Sequence, residues 1–86
     1  MLMMTQVEIT AEALEQRGRL PIPIQQRVNT VFARLMDWPQ VSGAKALRGK
    51  LGGNWRIRTG DYRVIFRVKG DVVTVWKIGY RGGIYD

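Results

Sequence analysis

The chain has 86 residues, a formal net charge of +7, 45% hydrophobic and 24% charged residues, and neither cysteine nor histidine. That length predicts one domain, residues 1–86, with a core only just large enough to fold alone, and the composition calls for packing rather than disorder. Missing cysteine excludes a disulfide scaffold and thiolate metal sites, and missing histidine removes the commonest metal ligand and acid/base group, leaving Arg, Lys, Tyr and carboxylates for any chemistry.

No apolar run approaches the roughly 18 residues of a membrane span. Met1-Leu2-Met3-Met4 lacks the charged and apolar regions of a signal peptide, so a cytoplasmic protein with no membrane partner is expected. The charge is uneven. Residues 1–44 hold four Arg against three Glu and one Asp, whereas residues 45–86 hold ten Lys or Arg against three Asp. An excess of this kind attracts a polyanion, and because the basic residues alternate along strands instead of lining an amphipathic helix, nucleic acid is favoured over a membrane surface.

Gln6 to Ile9 reads as a short first strand. Thr10 suits the N-cap of a helix from Ala11 to Arg17, with Glu12 in the first turn where the helix dipole favours an acid and Gly18 as its stop. Leu20-Pro21-Ile22-Pro23 is an extended connector, and Pro23 fits the first turn of a second helix. There Ile24, Val28, Val31, Phe32, Leu35 and Met36 form one apolar stripe that ends before Pro39. The two helices form a hairpin that cannot bury its stripes alone and must lie on a sheet, with Trp38 sealing one end.

Residues 40–54 show no clean period and carry Gly43, Gly49, Gly52 and Gly53, with Lys45, Arg48 and Lys50 among them. A connection this long in a small domain is usually functional, and the segment reads either as a solvated basic loop or as a phosphate-contacting one. Gly49-Lys50-Leu51-Gly52-Gly53 lacks both the spacing and the hydroxyl residue of a nucleotide-binding P-loop. Trp55 to Thr59 then alternates strictly, with Trp55, Ile57 and Thr59 on one face and Arg56 and Arg58 on the other. Gly60-Asp61 supplies a tight turn. Along Tyr62 to Val68, Tyr62, Val64, Phe66 and Val68 face one way and Arg63, Ile65 and Arg67 the other. Lys69-Gly70 makes a second turn, and Asp71 to Ile78 is apolar enough to be a central strand covered on both faces.

Antiparallel pairing brings Arg56, Arg58, Arg63 and Arg67 together on one sheet face, opposite the helices. The expected fold is α+β, a helical hairpin packed on one face of a small antiparallel sheet. Guanidinium groups so gathered repel one another unless an anion lies there, and each is a planar fork suited to phosphate oxygens. Trp55, Tyr62 and Trp76 read as core residues, while Tyr80 and Tyr85, flanking Arg81 on a Gly-rich tail, read as ligand contacts that can stack on bases.

The stretch LRGKLGGNWRIRTGDYRVIFRV followed by VVTVWKIGYRGGIY resembles the RelE/ParE superfamily of toxins from type II toxin–antitoxin pairs, closer to the RelE branch. The likeness rests on the L-x-G loop, the G-D-Y-R-V-I-F run and the closing I-G-x-R…I-Y. It implies two helices on an antiparallel sheet and, in the RelE branch, a metal-independent endoribonuclease that cuts mRNA in the ribosomal A site with no cofactor. In the ParE branch it implies a gyrase inhibitor that acts by binding alone. Carried over residue by residue, it implies catalytic roles for Arg56, Arg58, Arg63, Arg81 and Tyr85, beside RNA- or phosphate-binding roles for Lys45, Arg48, Lys50, Arg67, Lys77 and Tyr80. The general base stays open between Tyr85, Lys50, Lys77, Asp86 and the ribosome, since an arginine does not readily give up its proton. The partners implied are an acidic antitoxin, forming a hetero-oligomer with the toxin, and the ribosome with its mRNA.

Overall fold

The structure, a computed structural model, describes residues 5–81. Strand β1 (Gln6–Ile9) leads into helices α1 (Ala11–Gly18) and α2 (Ile22–Leu35), and strands β2 (Lys45–Ala46), β3 (Asn54–Thr59), β4 (Tyr62–Lys69) and β5 (Val72–Tyr80) follow. They form one five-stranded sheet in the order β1-β5-β4-β3-β2. Both helices lie on one face of it.

Local chemistry explains the helix limits. Thr10 accepts from the Ala13 amide at 3.1 Å and so caps α1, as its hydroxyl predicted. Thr10→Ala is expected to cost about 1 kcal/mol and to lower the melting temperature by several degrees in a thermal scan. Pro23 stands in the first turn of α2, where its missing N–H leaves no bond unmade. After α2 the chain turns through residues 36–39, and the Trp38–Pro39 peptide is cis.

The core lies between the helices and the sheet. Ala13, Val28, Val31 and Leu35 from the helices meet Ile57, Val64, Phe66, Val73, Val75 and Ile78 from the sheet, all of them buried. Trp38 closes one end, as expected, with its ring edge-on to Trp55 at 4.9 Å and to Phe66 at 5.3 Å.

Strands β3 to β5 pair antiparallel as predicted, and β2, which the sequence did not suggest, pairs antiparallel with β3, but β1 runs parallel to β5, so the sheet is mixed. The chain must pass through both helices between β1 and β5, and a crossover of that length permits parallel pairing. Pairing with β1 ends at Ile9 opposite Val75, and beyond it Gln16 of α1 takes over, its side-chain oxygen accepting from the Ile78 amide at 2.7 Å. The second turn falls at Gly70-Asp71, one residue later than the sequence suggested, because β4 runs through Lys69. Gly60 and Gly70 open the two hairpin turns with φ of 61° and 60°, backbone that other residues enter at a cost.

The expectation that β5 is covered on both faces holds for one face only: Val73, Val75 and Ile78 are buried, whereas Thr74, Trp76 and Lys77 on the other side are partly exposed. Helices cover one face. On the other, Ile65 of β4 is wholly buried although no helix of the described residues lies there.

Candidate nucleic-acid interface

The register of β3, β4 and β5 assembles the face away from the helices in three rows. Arg58 stands opposite Arg63, which stands opposite Gly79; Arg56 opposite Ile65, and Ile65 opposite Lys77; Asn54 opposite Arg67, and Arg67 opposite Thr74. Alternation fixes the side, because Ile57, Val64, Phe66, Val75 and Ile78 take the helix face. The expected gathering of Arg56, Arg58, Arg63 and Arg67 is therefore present, with Lys77 beside it.

These cations differ in setting. Arg56 and Arg63 are only 9% and 8% exposed, whereas Arg58 and Arg67 reach into solvent. The Arg63 Nε is buried with no hydrogen-bond partner. A buried donor left unsatisfied costs free energy. The two described carboxylates of this half, Asp61 and Asp71, sit in the turns at either end of β4.

Beside the rows lies a cleft of about 720 Å³ lined by Lys45, Ala46, Leu47, Arg48 and Arg56. Three of its five lining residues are cations and none is acidic, a setting that favours an anion. Its rim is a loop closed at the mouth by the Leu47 amide donating to the Asn54 carbonyl at 2.9 Å. Within the loop the Gly52 amide donates to the Gly49 carbonyl at 3.0 Å, and the Asn54 side-chain amide donates to the Leu51 carbonyl at 3.2 Å. The segment that looked patternless thus holds a two-residue strand and a 3-10 turn, and it presents Arg48 and Lys50 to solvent.

At the other end of the sheet the Arg81 amide donates to the Asp61 carbonyl at 2.9 Å. Arg81 follows Gly79 by two residues, in phase with the arginine rows. Tyr80 is 55% exposed but falls on the helix side, in edge-on contact with Tyr62 at 5.8 Å, so the register does not bring it to the arginines. Tyr85 and Asp86 lie outside the described residues.

Sequence reasoning missed two members of this face. Ile65 pairs with Lys77 and Phe66 with Val75, so Trp76 is an extra residue on β5, a bulge. Instead of entering the core, its indole N–H donates to the Asn54 side-chain oxygen at 2.9 Å, across β4. Asn54 thereby links β5 to the basic loop. No glycine marks the bulge, and Trp beside Val and Ile reads as core.

The molecule has the fold of RelE toxins. It superposes on the toxin–antitoxin complex RelBE2 from Mycobacterium tuberculosis with a TM-score of 0.79 and 27% identity, covering 92% of this chain and 100% of that one. The archaeal RelE–RelB complex from Pyrococcus horikoshii gives 0.75 and 27%, covering 94% and 99% of the two chains. The isolated RelE toxin of E. coli gives 0.72 at 19% identity, over 88% and 83%, a likeness of fold alone. The sequence model of the ParE toxin of the type II toxin–antitoxin system parDE matches residues 7–85, and the chain belongs to that family. No curated protein matches it by sequence. Among the described residues no helix is long and apolar enough to cross a membrane.

Proposed function

We propose that this toxin inhibits translation by cutting mRNA on the ribosome, with the arginine face receiving the RNA backbone. The observation that carries this reading is the Arg58–Arg63 pair set directly opposite on the open sheet, with Arg56 and Arg63 nine-tenths buried and the Arg63 Nε unsatisfied. A phosphate at that point satisfies the donor.

The ribose 2′-hydroxyl attacks the adjacent phosphorus. The O2′–P bond forms as the P–O5′ bond breaks, leaving a 2′,3′-cyclic phosphate and a 5′-hydroxyl. The 2′ proton passes to the base and a proton is delivered to the departing 5′ oxygen. Arg63 and Arg81 stabilise the charge that grows on the phosphate, while Arg56 and Arg58 hold its neighbours. Lys45, Arg48, Lys50, Arg67 and Lys77 engage flanking phosphates. Tyr85 stacks on a base or orients the 2′-hydroxyl. Proton transfer is left to Tyr85, Lys50, Lys77, Asp86 or the ribosome, so positioning carries much of the rate.

The partner of this toxin is an antitoxin, as in the solved complexes that share its fold. Charge gives the antitoxin its character: an acidic segment that folds over the arginine face and masks it, in a hetero-oligomer.

The match to the ParE toxin model favours a second reading, gyrase inhibition by contact alone. Translation of a reporter and supercoiling by gyrase, measured side by side, separate the two. The RNase reading predicts that translation stops, that gyrase is untouched, and that Arg81→Ala restores protein synthesis by about a hundredfold in toxin concentration. Inhibited gyrase with normal translation would overturn it.

A further inference from the structure

We propose that Trp76 is a stacking platform for one RNA base, fixed on the arginine face by Asn54; this rests on the RNA reading above and adds to it the place where a base is held. The bulge is what makes the platform. Unbroken alternation from Val73 and Val75 would send Lys77 into the core and Ile78 out of it, but the extra residue shifts the phase, so Ile78 is buried and Trp76 and Lys77 both belong to the open side.

The indole N–H lies in the plane of its ring, and its acceptor Asn54 is two strands away, on the far side of β4. Strands are spaced about 4.8 Å apart, so the ring must lie across β4 to close a bond of 2.9 Å. Beneath that span is Ile65, wholly buried on a face without helices. On this proposal one side of the indole lies over it. Trp76 is only partly buried and stands outside the apolar core, which leaves exposed surface for the ring's other side to offer. A second bond, from the Asn54 amide to the Leu51 carbonyl at 3.2 Å, ties the platform to the loop that bears Arg48 and Lys50.

An immobilised aromatic face among Arg56, Arg67 and Lys77 suits a polymer that alternates π-faces with phosphates. The arginines take the backbone and the indole takes a base. Stacking tolerates any base, so this contact adds affinity and register without a sequence code.

The test uses the purified full chain and a short labelled oligouridylate, compared at several salt concentrations with the same RNA made abasic at one position at a time. Wild type is expected to bind the complete RNA about tenfold more tightly than the version abasic at the stacked position. Trp76→Leu should lose that preference while keeping the salt dependence set by the phosphates, and Trp76→Phe, which keeps a ring, should retain most of it. Indole emission of the wild type should be quenched by the complete RNA and not by the abasic one, and this quench should be missing in Trp76→Phe. Equal weakening of both RNAs by Trp76→Leu marks Trp76 as a cover for Ile65 only and overturns the proposal, as does an unchanged preference. Should Trp76→Leu fail to fold, the quench and the Trp76→Phe affinities decide alone. No salt-dependent binding of either RNA overturns the RNA reading as well.

Discussion

Arg63→Met is expected to melt at a higher temperature than the parent chain and to leave mRNA uncut. Arg63 is 8% exposed, stands directly opposite Arg58, and holds a buried Nε without a partner. An unsatisfied buried donor costs about 1–3 kcal/mol, and a methionine of similar length removes that cost while keeping the contacts of the stem. In a domain of this size each kcal/mol gained raises the melting temperature by roughly 4–8 °C. Activity moves the other way, because losing a donor aimed at a developing oxyanion costs about a hundredfold or more in rate. Calorimetry and a cleavage assay on one preparation check both halves. A variant less stable than the parent, or still active, would show that Arg63 is held for packing.

Phe66→Ala should remove a large share of the domain's stability. Phe66 is completely buried on β4, one residue from the point where the register of β4 and β5 shifts, and its ring meets Trp38 edge-on at 5.3 Å. Trp38 in turn packs on Trp55 at 4.9 Å, so removing the phenyl ring opens a cavity under the end of the helical layer. Emptying such a site costs about 3–5 kcal/mol, against a total near 5–15 kcal/mol for a domain. Urea unfolding followed by tryptophan emission measures the loss directly, and a cost below about 1 kcal/mol would mean that the site collapses around the gap.

The contrast between these two positions shows why some of this protein was legible in its sequence. Phe66 and Arg63 belong to β4, where strict alternation assigned the faces correctly, and the Gly60-Asp61 turn fixed which residues of β3 they meet. Arg56, Arg58, Arg63 and Arg67 followed from that alone. The Thr10 cap and the apolar stripe of α2 as far as Leu35 were readable for the same reason, since each is a local pattern with a local cause, whereas Met36, counted in that stripe, lies past the helix and is exposed.

Features set by tertiary pairing were not readable. The direction in which β1 pairs with β5 leaves no mark on Gln6 to Ile9, and β2 is too short for any period. The bulge at Trp76 changes the phase of β5 without a glycine to announce it, which is why an indole expected in the core turned up bonded to Asn54 on the arginine face. Tyr80 was read as a ligand contact from its neighbours in the chain, whereas the register groups it with Tyr62 on the helix side. Gln16 shows the same limit, because nothing in a helical Gln reveals that it will cap the edge of β5 at Ile78.

The most direct test is primer extension on a defined mRNA in a purified translation system, with wild type beside Arg63→Met and Tyr85→Ala and with the 5′ ends of the fragments characterised. Cuts confined to the A-site codon, requiring ribosomes, bearing 5′-hydroxyl ends and missing in both variants are the predicted result. Intact mRNA at toxin concentrations that arrest growth would contradict it.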